Sequence, residues 1–100
     1  MLKEVSNTEI IRMLGQRFRQ YRLILELTQK ELSERTGISV PTIQKFESGT
    51  ASNITLTTIL SLMRHIGIID YVDKLIPEQP DNPYNHKRIS RIRHATNKAQ

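Results

Sequence analysis

The chain has 100 residues, enough for one small domain, and its hydrophobic and charged fractions of 37% and 25% are ordinary for a globular protein. Its net charge of +5 favours a polyanionic partner, with nucleic acid ahead of an anionic membrane surface. The absence of cysteine excludes disulfides and thiolate metal sites. No stretch resembles the apolar core of a signal peptide or the roughly 18 apolar residues of a membrane span, so we expect a cytoplasmic protein.

The first predicted helix runs from about Thr8 to Leu25. Ser6 or Thr8 is its expected N-cap, and Glu9 lies in the first turn, where negative charge favours the helix dipole. We interpret Arg12 as a residue of the solvated face. Apolar side chains at spacings of three and four predict one apolar stripe, formed by Ile10, Leu14, Phe18, Tyr21 and Leu25.

A second predicted helix begins after Thr28 and ends at Gly37. Thr28 and Glu31 have the spacing of a capping box, in which each side chain accepts a hydrogen bond from the other residue's backbone N–H. Glycine tolerates the left-handed backbone that a tight turn after a helix requires. A third helix is predicted after Ser39, with Pro41 in its first turn, where a missing N–H costs nothing.

Residues 27–49 therefore predict two short helices joined by a tight turn, the helix-turn-helix arrangement. After a polar loop, Thr55 is the expected cap of a fourth helix that Gly67 ends. A last helix is predicted from Ile68 to Ile76, before Pro77. The predicted fold class is thus all-α with five helices, in a domain of residues 1–77.

Residues 78–100 differ in composition from this domain and predict a proline-containing linker followed by a basic tail. Residues 81–100 hold five basic side chains against one acidic side chain, so most of the net charge lies there. We expect the tail to order on a partner, whether it follows DNA phosphates, binds a protein or only aids solubility. The basic residues are Lys87, Arg88, Arg91, Arg93 and Lys98.

Several fixed spacings occur together in this chain. They are Leu27-Thr28-Gln29, Glu31-Leu32, Gly37-Ile38-Ser39, Ile43 and Phe46-Glu47-Ser48-Gly49, with Arg22 upstream. This combination resembles the Cro/C1-type, or Xre-like, helix-turn-helix family, over about residues 10–75. The resemblance implies a lambda repressor-type domain that binds double-stranded DNA and regulates transcription, most often as a repressor.

The resemblance also implies roles by position in this sequence. The third helix would be the recognition helix in the major groove, and its base-contacting residues would be Val40, Pro41, Thr42, Gln44 and Lys45. Phosphate contacts would come from helix starts and from the loop after the third helix, namely Thr28, Gln29, Ser39, Ser52, Asn53 and Thr55. Ordinary capping and loop chemistry is the alternative for these polar residues.

Arg22 and Glu47 match the positions of a family ion pair that holds the recognition helix against the scaffold. Structural support is the first interpretation of this pair, and contact between Arg22 and a phosphate is the second.

One recognition helix reads too few base pairs for tight binding, so the resemblance implies a homodimer on an inverted-repeat operator. The predicted dimer surface is the apolar face of the last helix, although this face would alternatively cover the domain's own core. Its residues are Ile66, Ile69, Val72, Leu75 and Ile76. A second class of function is open: the basic tail after a proline-bounded linker is similar to antitoxins of the HipB type, which bind operator DNA and also a toxin kinase.

Enzyme chemistry has no support in this sequence. The three histidines are scattered, the four glycines form no phosphate-binding loop, and no nucleophile elbow occurs. We therefore expect a protein without catalytic residues, cofactor or metal.

Overall fold

The computed structural model describes residues 2–80 and places five helices in that range. They are α1 (Asn7–Ile24), α2 (Gln29–Thr36), α3 (Val40–Ser48), α4 (Leu56–His65) and a 3₁₀ helix (Ile69–Lys74). No strand occurs among these residues, so the predicted all-α class is confirmed. The tail residues Lys87, Arg88, Arg91, Arg93 and Lys98 lie outside the described range. None of the described helices is both long and apolar enough to cross a membrane.

Each α-helix begins where a hydroxyl side chain accepts a hydrogen bond from a backbone N–H three residues later. The four capping residues are Ser6, Thr28, Ser39 and Thr55. Thr28 and Glu31 form the complete capping box, with N···O distances of 3.0 and 3.2 Å. These bonds satisfy N–H groups that have no partner inside the helix.

The end of α1 is a tight turn in which Glu26 has a φ of +56°. The N–H of Leu27 donates to the carbonyl of Arg22, and the N–H of Glu26 donates to the carbonyl of Leu23. These two bonds form a Schellman motif, in which glycine is the usual left-handed residue. Glu26 therefore takes a backbone conformation that costs a side-chain-bearing residue about 1–2 kcal/mol.

The hydrophobic core lies between α1, α3 and α4, with one residue from α2. Its fully packed members are Phe18, Leu32, Ile43, Phe46, Leu62 and Ile66. The rings of Phe18 and Phe46 lie 5.7 Å apart between centroids and join α1 to α3. The recognition-helix candidate α3 is therefore attached to the scaffold through its inward face.

The inward face of α1 differs from the predicted stripe. Gly15, Phe18 and Arg22 are buried, whereas Leu14 and Tyr21 are exposed. The predicted positions Leu25 and Ile10 also fall outside the core, Leu25 being exposed and Ile10 half-buried. The prediction is confirmed for Phe18 and was wrong for the other positions, because apolar spacing cannot identify a glycine and an arginine as the inward residues of a helix.

Gly15 is buried because α1 crosses α3 at very close range. A Cβ placed on Gly15 would lie 1.8 Å from the carbonyl oxygen of Phe46. Any side chain larger than hydrogen would therefore force the two helices apart.

The last predicted helix, from Ile68 to Ile76, is shorter and of another type. It is a 3₁₀ helix of six residues, and no side chain caps its start. Gly67, with a φ of +81°, ends α4 as predicted. Short uncapped segments commonly adopt the 3₁₀ form, and β-branched residues such as Ile68 and Ile69 lower the preference for an α-helix.

Candidate nucleic-acid interface

Helix α3 has one buried and one exposed face. Ile43, Phe46 and Glu47 are buried, because they face α1 and the core. The opposite face holds the five predicted base-contacting residues, of which four are exposed and Val40 is half-buried; the exposed ones are Pro41, Thr42, Gln44 and Lys45. The residues that the family resemblance assigns to base contacts therefore lie together on the solvent-facing side of α3.

Arg22 and Glu47 form a buried bidentate pair behind this surface. Arg22 Nε donates to Glu47 Oε2 and Arg22 Nη2 donates to Glu47 Oε1, both at 2.7 Å. Arg22 Nη1 also donates to the carbonyl oxygen of Leu27 at 2.7 Å. The residues are only 6% and 3% exposed, so the pair holds the C-terminal turn of α3 against α1 and the turn before α2.

The electrostatics of this pair keep Arg22 charged. The hydrogen bond to Glu47 is the main cause that raises the pKa of Arg22 above its ordinary value. Burial opposes the rise, and the negative charge of Glu47 adds to it. Removing either partner would leave the other charge buried and uncompensated, which is costly.

Gln29, at the start of α2, extends the same network. Its Nε2 donates to Glu47 Oε1 at 3.2 Å, so one carboxylate is shared by α1, α2 and α3. An amide nitrogen carries two hydrogens, and one therefore stays available for a phosphate oxygen. Gln29, which the resemblance assigns to a phosphate contact, thus also links α2 to α3 within the helix-turn-helix unit.

The predicted phosphate contacts fall into two groups. Thr28, Ser39 and Thr55 are caps, and their hydroxyl oxygens already accept backbone hydrogen bonds. Ser52 and Asn53 are exposed in the loop between α3 and α4, and neither side chain has a hydrogen bond to the described residues. Both groups are at the surface, and the second has its full hydrogen-bonding capacity free.

The chain after α3 is held close to the end of that helix. The carbonyl of Lys45 accepts from the N–H groups of Thr50 and Ala51, both at 3.0 Å. Gly49, with a φ of +81°, makes the turn. The position of the loop is therefore tied to the position of the recognition-helix candidate.

Two residues that the sequence analysis did not assign to this site contribute to the region. Gly15 sets the distance between α1 and α3, and Arg12 lies across Gly49 with its Cγ 2.7 Å from the place of a Gly49 Cβ. Arg12 is exposed, as its polar position predicts, but its stem rests on the turn after α3. No local spacing rule reports such contacts, because they join residues far apart in the chain.

An apolar groove of about 490 Å³ lies between α1, α4 and the 3₁₀ helix. Of the predicted dimer residues, Leu75 and Ile76 are 59% and 85% exposed, and Ile69 and Val72 are half-buried. Ile66 is only 7% exposed and packs within the core, so its side chain is not available to a second chain. Leu56 and Tyr71, which the sequence analysis did not assign to this surface, are also exposed at the groove.

Other sites are not evident in the described part of the chain. Within residues 2–80 no three histidine, aspartate or glutamate side chains are placed to hold a metal ion. The buried side-chain nitrogen and oxygen atoms there all have hydrogen-bond partners. The exposed face of α3 with its flanking helix starts is therefore the candidate functional surface.

Comparison with known protein families identifies the domain that carries this surface. A model of a helix-turn-helix family matches residues 18–71, which run from the second half of α1 into the 3₁₀ helix. No curated protein matches the chain. The first half of α1, including Arg12 and Gly15, precedes the matched region.

Proposed function

The chain belongs to the Cro/C1-type helix-turn-helix family of DNA-binding transcriptional regulators, and from this premise we propose that it is a repressor that binds an inverted-repeat operator as a homodimer. The observation that supports sequence preference is the solvent-facing side of α3. It presents Thr42, Gln44 and Lys45 while the rest of the helix is held by the buried Arg22–Glu47 pair.

The proposed base contacts follow from hydrogen-bonding geometry in the major groove. Gln44 can donate to and accept from an adenine edge, and Lys45 can donate to a guanine edge. Thr42 and Val40 can place methyl groups against a thymine methyl. Pro41, at the first turn of α3, has no polar side-chain atom, so polar readout rests on few residues.

The proposed backbone contacts surround these base contacts. Gln29 is held by Glu47 in a fixed orientation at the start of α2, with one amide hydrogen left for a phosphate. The exposed loop residues Ser52 and Asn53 lie on the other side of α3 in the chain, before the start of α4. Contacts on both sides would fix the register of α3 on the duplex, which base contacts alone do not.

Homodimer formation would double the number of polar side chains that contact bases, which is small in a single copy of α3. Two copies of α3 in one complex read two half-sites about 34 Å apart, one turn of DNA. We propose that the copies meet through Ile69, Val72, Leu75 and Ile76, with Tyr71 beside them. This surface is apolar and partly solvent-exposed in a single chain, and a second copy would cover it.

Selection of bound sequences from a random pool of DNA duplexes tests the proposal. We expect enrichment of an inverted repeat whose half-site centres are about 10 bp apart. The double variant Gln44→Ala with Lys45→Ala removes the proposed polar base contacts. Both side chains are exposed, so their loss leaves the core unchanged. It should fold normally and lose the enrichment.

Two results would contradict the proposal. DNA binding without any enriched sequence would contradict the proposed sequence preference. A strictly monomeric mass, both in solution and on the operator, would contradict the proposed homodimer. The antitoxin alternative depends on the basic tail, whose residues lie outside the described range.

A further inference from the structure

The loop between α3 and α4 contains no cationic side chain of its own. Residues 50–55 carry no charged side chain, although Ser52, Asn53 and Thr55 are its proposed phosphate contacts. Lysine and arginine supply most of the affinity of proteins for the DNA backbone, because they displace condensed counterions. Any such charge at this loop must come from another part of the fold.

Arg12 reaches the loop from α1. Its Cγ, Nε and Cδ lie 2.7, 3.1 and 3.3 Å from the place where a Gly49 side chain would begin. Gly49 is the residue that ends α3 and immediately precedes the loop. Since the guanidinium carbon is bonded to Nε, the charged group of Arg12 lies beside the start of the loop.

The stem of Arg12 is held, while its charged group is free. Gly15, three residues later on the same side of α1, fixes that helix against the backbone of Phe46. The stem of Arg12 rests on Gly49, yet the residue is exposed and forms no hydrogen bond or ion pair with residues 2–80. A side chain ordered in this way loses little conformational entropy when it binds a ligand.

We propose that Arg12 is a phosphate-contacting residue that supplies the positive charge for the DNA strand passing the loop of residues 50–55. This role rests on the proposed DNA-binding function. It is not carried over from the family, because Arg12 precedes the matched residues 18–71. Gly49 then has a second requirement besides its left-handed backbone: a Cβ there would displace Arg12 from the loop.

A purely structural role for Arg12 is the competing explanation. A cation beside the C-terminal end of α3 also interacts favourably with the dipole of that helix. Such a role would change the free energy of unfolding and leave the salt dependence of DNA binding unchanged. The two explanations are therefore separable by experiment.

The test measures the affinity for the selected duplex at several salt concentrations, for the wild type, Arg12→Gln and Arg17→Gln. Arg17 is the matched control, because it is an exposed arginine of the same helix about 140° around the axis from Arg12. Since Arg17 borders the groove beside the proposed dimer surface, each slope is measured at concentrations where the mass of the variant equals that of the wild type. We expect Arg12→Gln to reduce the slope of log K against log salt by about 0.9, the value for one phosphate contact. Arg17→Gln should leave the slope unchanged, and Arg12→Lys should retain it.

Each other outcome overturns the role. An unchanged slope for Arg12→Gln, with or without a lower melting temperature, would assign Arg12 to structural support. Equal losses for Arg12→Gln and Arg17→Gln would show only an effect of net charge. A wild-type chain that binds no DNA would instead refute the proposed function, and this role with it.

Discussion

Substitution of Gly15 by alanine is the sharpest test of how α1 positions α3. The added Cβ would lie 1.8 Å from the carbonyl oxygen and 2.7 Å from the carbonyl carbon of Phe46. These are backbone atoms of the last turn of α3, and the Phe46 carbonyl accepts a hydrogen bond from the Gly49 N–H, so they cannot rotate away as a side chain would. The contact is relieved only if α1 and α3 move apart by more than 1 Å, judged from an ordinary C···O contact of about 3.3 Å.

The expected loss follows from two opposing effects. Overpacking of a well-packed contact costs about 1–3 kcal/mol and occasionally more, and a clash with helix backbone belongs at the upper end. Alanine also favours the helix over glycine by about 1 kcal/mol. We therefore expect Gly15→Ala to lower the free energy of unfolding by about 2 kcal/mol or more, which is a fall in melting temperature of roughly 10 °C in a domain of this size.

Thermal and urea unfolding, followed by circular dichroism, measure this loss. Gln16→Ala is the control, because Gln16 is the next residue of α1 and is exposed; its effect should stay within about 0.5 kcal/mol. The DNA affinity of Gly15→Ala should also fall under conditions where the variant is folded, because α3 is displaced from its position against α1. A variant as stable as the wild type would refute the close helix crossing.

Three further predictions concern single side chains. Glu47→Ala leaves Arg22 buried without its partner and should lower the free energy of unfolding, measured in urea, by about 3–5 kcal/mol. Arg22→Met combined with Glu47→Leu should recover much of that loss. A double variant no more stable than Glu47→Ala would contradict the reasoning. Glu26→Gly relieves the left-handed backbone after α1 and should raise the free energy of unfolding by about 0.5–1 kcal/mol, whereas Glu26→Ala, which keeps a Cβ, should show no such gain. The hydrogen bond from the Thr28 backbone, with one from its side chain, lowers the pKa of Glu31 below its ordinary value of 4.5. Folding thus favours the charged form of Glu31. The stability that the charge adds is complete above pH 4.5 and is lost as the pH falls through the lowered pKa. The difference in free energy of unfolding between the wild type and Glu31→Gln should therefore shrink in that acidic range, and a difference independent of pH would argue against the linkage.

The boundaries of the capped helices were predictable from the sequence because capping is a local interaction. Thr28 and Glu31 lie three residues apart, and their reciprocal hydrogen bonds form wherever the chain turns into a helix. Gly37 and Gly49 adopt the left-handed backbone at the ends of α2 and α3. Only neighbouring residues decide these features, so no knowledge of the fold was needed.

The family resemblance directed attention to residues that spacing alone would not have joined. Arg22 and Glu47 are 25 residues apart, and both are charged, so periodicity would place them on the surface. Their burial is possible because the bidentate hydrogen bonds, the Leu27 carbonyl and Gln29 satisfy both groups.

Only the tertiary structure decided which faces meet. Gly15 and Arg12 are significant through their contacts with Phe46 and Gly49, and Ile66 belongs to the core instead of the predicted dimer surface. The sequence by itself determined an all-α chain with its helix starts, turns and helix-turn-helix unit, because these depend on short-range hydrogen bonds and backbone preferences. The crossing of α1 over α3 depends on the fit of two whole surfaces, in which a missing side chain matters as much as a present one, and no local pattern encodes that fit.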